Sequence, residues 1–222
     1  LQALSTAWQF AKFLKDDPRY RDRPYDDGKT AGEHYAAWTA YARDYLLERA
    51  KKGFLVEFAN STYGFVAMKG VYNFSDFAED PVLKKRAGYC LDLFWASWAQ
   101  EQIDGVRGGG RTRIYQGGGS LLGRDRLSDL AWYYLDMGKG TPPRDNDFTV
   151  ITSAYRMPLV VMDLALDRGD CGVYEVRQYP LGLVAEGEPR HTVPYHLRMD
   201  YGGIYRYSYC TPAFILGTAM VE

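Results

Sequence analysis

Through most of the first 166 residues, apolar positions recur at steps of three and four, the period of a helix with one buried face. Leu4, Trp8, Ala11 and Leu14 predict a first helix over residues 3–15, ended by Asp16-Asp17-Pro18. The Arg-, Asp-, Tyr- and Pro-rich stretch to about Gly32 reads as an exposed loop. Glu33 to Lys52 contains no breaker and predicts a second helix of about 30 Å, stopped by Gly53. Its His34, Trp38, Tyr41 and Tyr45 share one face, which either lines a groove or is buried against a neighbour; burial is the commoner outcome. A third helix-like piece covers about Val66 to Ala78. Asp80-Pro81 opens a fourth, Val82 to Ile103, apolar round much of its circumference and therefore expected between other helices. Leu121 to Met137 predicts another, and Phe148 to Leu166 one more, kinked or divided at Pro158.

Beyond Gly169 the period shortens to two. Val173–Val176, Val193–Leu197 and Ile204–Tyr209 are the strand candidates, and Thr211-Pro212 opens a last helix-like or extended run. The fold class expected is therefore mainly α, antiparallel helix pairs with some β-strand near the C-terminus. Two units are expected: a helical domain over 1–170 and a mixed strand and helix continuation over 171–222.

Composition alters this picture little. The 222 residues are 46% hydrophobic and 25% charged, which suits a globular core. A net charge of -1 gives no global field for nucleic acid or membrane, so any anion preference must be local. The 15% aromatic content, with 19 tyrosines and five tryptophans, suits either a ring-lined ligand groove or a tyrosine-rich core. Three cysteines without metal spacing imply no disulfide framework, although a Cys171–Cys210 bridge is conceivable; Cys90 reads as a small core residue. No transmembrane span or signal peptide is legible. The chain starts Leu1-Gln2 and ends on an apolar run, so both ends read as cut, and a periplasmic or secreted location is the expectation.

The chemistry centres on Gly105 to Gly119, which holds seven of the 23 glycines with Arg107, Arg111, Arg113 and Tyr115. Glycines let backbone approach a ligand closely, and guanidinium forks fit carboxylate, sulfate or phosphate. A solvated connecting loop is the plainer reading. Ahead of it, Glu57-Phe58-Ala59-Asn60-Ser61-Thr62-Tyr63 interrupts an apolar run with hydrogen-bonding groups.

Consecutive long aromatic helices and these two constellations resemble the helical part of an (α/α)-toroid polysaccharide lyase of the heparinase II/III and alginate-lyase kind. The likeness covers roughly residues 1–166. It implies an incomplete (α/α) toroid, with the C-terminal strands leading toward a β-sandwich domain absent from this chain. It also implies β-elimination on an acidic, uronate-containing polysaccharide or oligosaccharide. In such lyases an Asn or Arg neutralises the uronic carboxylate, while Tyr and often His move protons. The Asn-His pair of several such families is missing here.

β-Elimination removes the C5 proton and builds charge on the adjacent acid, so donors aimed at that carboxylate are worth about 2.7–4 kcal/mol each. Asn60, Arg111 and Arg113 have this chemistry, with Arg107, Glu57 and Trp38 as further substrate contacts. Tyr115, two residues from Arg113, is the first candidate base, Tyr63 the second, and His34 a base or acid needing no large shift. Each has an ordinary structural alternative: a turn or cap for Asn60, half-buried rings for the tyrosines, local packing on Trp38 for His34. His191 and His196 flank a strand candidate. Glu57 with Asp76 or Glu33 supplies the two carboxyls of an inverting glycoside hydrolase, the competing enzyme reading. A non-catalytic glycan-binding protein is the third. No metal or cofactor motif is present; Asp16-Asp17 and Asp26-Asp27 read as solvated pairs, with calcium the alternative.

Overall fold

A computed structural model describes residues 1–54, 61–111, 126–138, 140–144, 147–179 and 204–221. Among them are eight helices: α1 (Gln2–Asp16), α2 (Ala31–Lys51), α3 (Ser61–Phe77), α4 (Pro81–Gln100), α5 (Arg126–Leu135), α6 (Phe148–Ile151), α7 (Leu159–Leu166) and α8 (Arg168–Cys171). A short hairpin, β1 (Gln102–Ile103) and β2 (Val106–Arg107), follows α4. Strands β3 (Tyr174–Gln178), β4 (Ile204–Cys210) and β5 (Ile215–Val221) form an antiparallel sheet in that order. The protein is thus mainly α with a small sheet near the C-terminus.

Local chemistry fixes the helix starts. Thr30 and Glu33 form a reciprocal capping box on α2, the Thr30 N–H donating to Glu33 at 2.8 Å. The Asp80 carboxylate accepts from the Leu83 N–H at 2.7 Å, and Pro81 fills the first turn of α4. Gly53, at φ 74°, closes α2.

Side-chain pairings show how the helices stack. The Trp8 indole donates to Thr39 at 3.0 Å, so α1 and α2 form an antiparallel hairpin. Trp95 donates to Tyr72 at 2.7 Å across the second hairpin, α3–α4. Asn73 reaches Ser5 and Glu79 reaches Lys12, so α1 and α3 run parallel. Arg86 reaches the Arg43 carbonyl and Cys90 the Leu46 carbonyl, so α2 and α4 do the same. Next, α5 packs on α3, and α7 on α4. The result is two layers, α1-α3-α5 and α2-α4-α7. Trp8, Tyr72, Phe74, Phe94, Trp95 and Trp98 are fully enclosed at their heart.

Two expectations need correction. The aromatic stripe of α2 does not form its buried face. Ala31, Tyr35, Thr39, Ala42, Leu46 and Arg49 do, because their smaller members let neighbouring helices approach closely. Trp38, Tyr41 and Tyr45 pack on one another along the more open side. The fourth helix ends at Gln100 rather than Ile103, where the chain turns into β1. The 148–166 segment is divided as Pro158 suggested: α7 starts directly after that proline, and between α6 and α7 Asp76 accepts from the Ser153 hydroxyl and the Ala154 N–H. Of the alternatives left open, the run after Pro212 takes the extended one, as β5, and all three cysteines are free, so Cys171 and Cys210 are not bridged. Val193–Leu197 lies outside the described residues.

Candidate functional site

α3 and α4 are antiparallel. The C-terminal end of α4 and the Gly105–Arg111 turn after it therefore lie at the same end of the layers as the first turns of α3, with Tyr63 and Phe65. Here β4 alternates strictly: Ile204, Arg206, Ser208 and Cys210 point inward, Tyr205, Tyr207 and Tyr209 outward. The inward Arg206 is 1% exposed and donates to Glu101 at 2.9 Å. Arg107 donates to the same carboxylate at 2.7 Å and the Ser208 hydroxyl at 2.6 Å. Burial pushes the Glu101 pKa up, but the two guanidiniums and Ser208 outweigh it and leave the group below its ordinary value. Burial, with the neighbouring Arg107 charge, draws Arg206 down.

This seam explains Gly108–Gly110. A β-carbon on Gly109 would lie 2.4 Å from the Ser208 hydroxyl, and one on Gly110 would lie 2.1 Å from the Thr218 carbonyl oxygen. Gly217 faces them, where a β-carbon would meet the Gly110 nitrogen at 2.3 Å. Gly108–Gly110 therefore admit the sheet, a role other than the ligand approach expected from the sequence. Arg107, expected to contact substrate, is 3% exposed and paired with Glu101. Arg111 remains half-buried at the rim, one Nη2 donating to the Arg107 carbonyl at 2.6 Å.

A second group on the same helix end escaped the sequence reading. Lys69 of α3 places its ammonium 5.2 Å from the Phe65 ring centre, and Arg126 of α5 lies 5.5 Å from that same ring. Arg126 pairs with the fully buried Asp147, which also accepts from the Arg144 N–H at 2.8 Å, and with Asp129 at 3.6 Å. Burial lowers the Lys69 pKa, the Arg126 charge lowers it further, and Asp147 opposes both. A signal was present: Lys69 is the lone charge in Gly64–Phe74, inside a helix otherwise rich in buried apolar residues. Tyr63, six residues and about 9 Å up the axis from Lys69, is an exposed ring at the head of α3. Tyrosines deeper in the layers do not suit a base: burial holds Tyr72 well above its usual value and pushes Tyr134 up to about 12.

His34 and Trp38 sit at the opposite end. Glu79, just after α3, bonds Lys12 and Lys15 at the C-terminal end of α1, where α2 begins. Tyr63 and Glu79 are separated by about 24 Å of rise. His34 therefore does not join Tyr63 and Arg111. With Trp38 it lines an open groove of about 460 Å³, together with Ala7, Phe10 and Ala11 of α1 and the Tyr25-Asp26-Asp27 bend. His34 Nε2 is 3.3 Å from Asp27 Oδ1, and its ring meets Tyr25 edge-on at 5.1 Å.

The carboxylates named for hydrolysis have structural tasks: Glu33 completes the α2 capping box, and Asp76 holds the bend at Ser153. Glu57, Asn60, Arg113, Tyr115, His191 and His196 lie outside the described residues. Among the described residues no three His, Cys, Asp or Glu side chains are grouped to hold a metal ion, and no helix is long and apolar enough to cross a membrane. Comparison with family models, with curated proteins and with solved structures gives no match.

Proposed function

We propose that this chain is the helical part of an incomplete (α/α) toroid that processes an acidic polysaccharide by β-elimination, acting at the glycine-loop end of its layers. The observation that carries this reading is Lys69: a half-buried amine and the Arg126 guanidinium share one face of α3 against Phe65, with exposed Tyr63 in the first turn of the same helix. Burial first, then the Arg126 charge, draw the Lys69 amine below its ordinary value, the direction a general base requires. In this reading Lys69 accepts the C5 proton. Arg111 and the Arg126 charge stabilise the uronic carboxylate as negative charge builds on it. Tyr63 returns a proton to the departing C4 oxygen. The two-layer order α1-α3-α5 over α2-α4-α7 is what a segment of such a toroid requires, and it supports the reading at the scale of the fold.

The test is incubation with polyuronates and glycosaminoglycans while ultraviolet absorbance is followed. Wild type should release an unsaturated, absorbing product. Lys69→Met should lose at least about 100-fold in rate, as removal of a general base does. An absorbing product released at an undiminished rate by Lys69→Met would overturn the assignment of the base. Reducing ends released without absorbance would replace elimination by hydrolysis.

A further inference from the structure

The groove at the far end of the layers has the wrong charge for an acidic sugar and a different chemistry from the site above. We propose that it binds an organic ammonium group, an alkylammonium or the protonated amine of an amino sugar, between the rings of Phe10, Tyr25 and Trp38 and the carboxylates of Asp26 and Asp27. Each wall contributes. α1 brings Phe10, 60% exposed despite its size, and two alanines that leave room beside it. The 25–27 bend brings one ring and two carboxylates, and α2 brings His34 and Trp38. No lysine or arginine is among the lining residues, so the described wall carries only negative formal charge besides His34.

The bend is built rather than loose. The Tyr25 N–H donates to the Lys29 carbonyl at 2.8 Å, the Gly28 N–H to the Tyr25 carbonyl at 2.8 Å, and Gly28 takes φ 79°. The Asp27 carboxylate accepts from the Lys29 N–H at 3.1 Å and meets His34 at 3.3 Å, which aims it. The Lys29 N–H first, then His34, hold Asp27 below the ordinary carboxylate value, so it is ionised at neutral pH. Lys12 and Lys15, the nearest cations of α1, are occupied by Asp16 and Glu79. A ring face attracts a cation through its quadrupole, and a neighbouring carboxylate adds charge attraction without the cost of full burial. Neutral sugars stack on rings equally well, so the carboxylates are what select the charge.

The experiment titrates the full chain with choline and with its neutral carbon isostere, 3,3-dimethylbutanol, following the amide resonances of Asp27, Gly28 and His34. In parallel it titrates glucosamine and N-acetylglucosamine. Choline should shift these resonances saturably and bind about tenfold or more tightly than the isostere. Glucosamine outbinding N-acetylglucosamine would name an amino sugar as the source; choline alone would name a free alkylammonium. Trp38→Ala and Asp26→Asn should each weaken the ammonium several-fold, with unchanged far-ultraviolet circular dichroism. Equal binding of charged and neutral partners, or no saturable shift with either ammonium, overturns the proposal. Neither outcome bears on the elimination assay, which reads the opposite end.

Discussion

A carboxylate enclosed by two guanidiniums and sealed from water behaves asymmetrically when one member is removed. Glu101→Gln leaves Arg107 and Arg206 buried without their counter-charge, and should cost about 3–5 kcal/mol in urea denaturation. Replacing the set together, with Glu101→Leu, Arg107→Met and Arg206→Met, should recover most of that loss. The pH dependence has a definite sign. Because the folded Glu101 pKa lies below its unfolded value near 4.3, its contribution is complete above that value and is lost as pH falls through the folded one. Wild-type stability should therefore fall on acidification below about pH 4.3, and the Glu101→Gln variant should fall less steeply over the same range. Of this site, sequence made the arginine-rich loop legible but not the division of labour within it. Arg107 meets Glu101 because the β1–β2 hairpin sets Gln102 opposite Arg107, and what seals the pair is a strand arriving about a hundred residues later. Lys69 was legible as a charge in an apolar run; its proximity to Arg126 required the packing of α3 on α5.

Among the elements, the helices were the most readable, because their caps and spacing are local. Thr30→Ala should cost about 1 kcal/mol by removing half of the α2 capping box, measurable as a shift in the denaturation midpoint. Gly88, in the middle of α4, would meet nothing within 4 Å if given a β-carbon, so Gly88→Ala should stabilise by about 0.5–1 kcal/mol. Gly110→Ala has the reverse sign, because its β-carbon would enter the β5 backbone at Thr218. It should cost about 1–3 kcal/mol or release the sheet edge, visible as faster amide exchange in β5. The α2 face was misjudged because ring count outweighed ring neighbours. Helices approach over Ala31, Thr39 and Ala42, which a count of aromatic positions ignores. The division of the 148–166 segment was legible at Pro158, but the early end of α6 was not, because Asp76, seventy-odd residues earlier, supplies the acceptor at Ser153 and Ala154.

For the whole molecule, sheet and helices are tied at several points besides the ionic seam. Arg168 donates to the Gln100 carbonyl at 3.2 Å and to the Thr211 carbonyl at 3.1 Å, joining the end of α4 to the end of β4. Gln178 donates to Ser97 at 2.9 Å. Tryptophan fluorescence, reporting the layers, and β4 amide exchange should therefore report one cooperative transition in wild type. Arg168→Ala should lower the protection of β4 and α1 amides together by about 1.5–3 kcal/mol, because both exchange through that one transition. The mainly α class with late strands was legible because helix and strand periods differ. The layer order was not, because it depends on which hairpin lies beside which.

The ionic seam also bears on how the chain is made. Glu101 and Arg206 are 105 positions apart, so on the ribosome the carboxylate and Arg107 emerge long before the strand that encloses them. Until then the pair faces water, where it is content, and the end of α4 has no lid. A nascent chain halted ahead of Ile204 would present a hydrated notch in place of a sealed joint. Proteases and chaperones surveying unfinished polypeptides could distinguish the two by that difference alone.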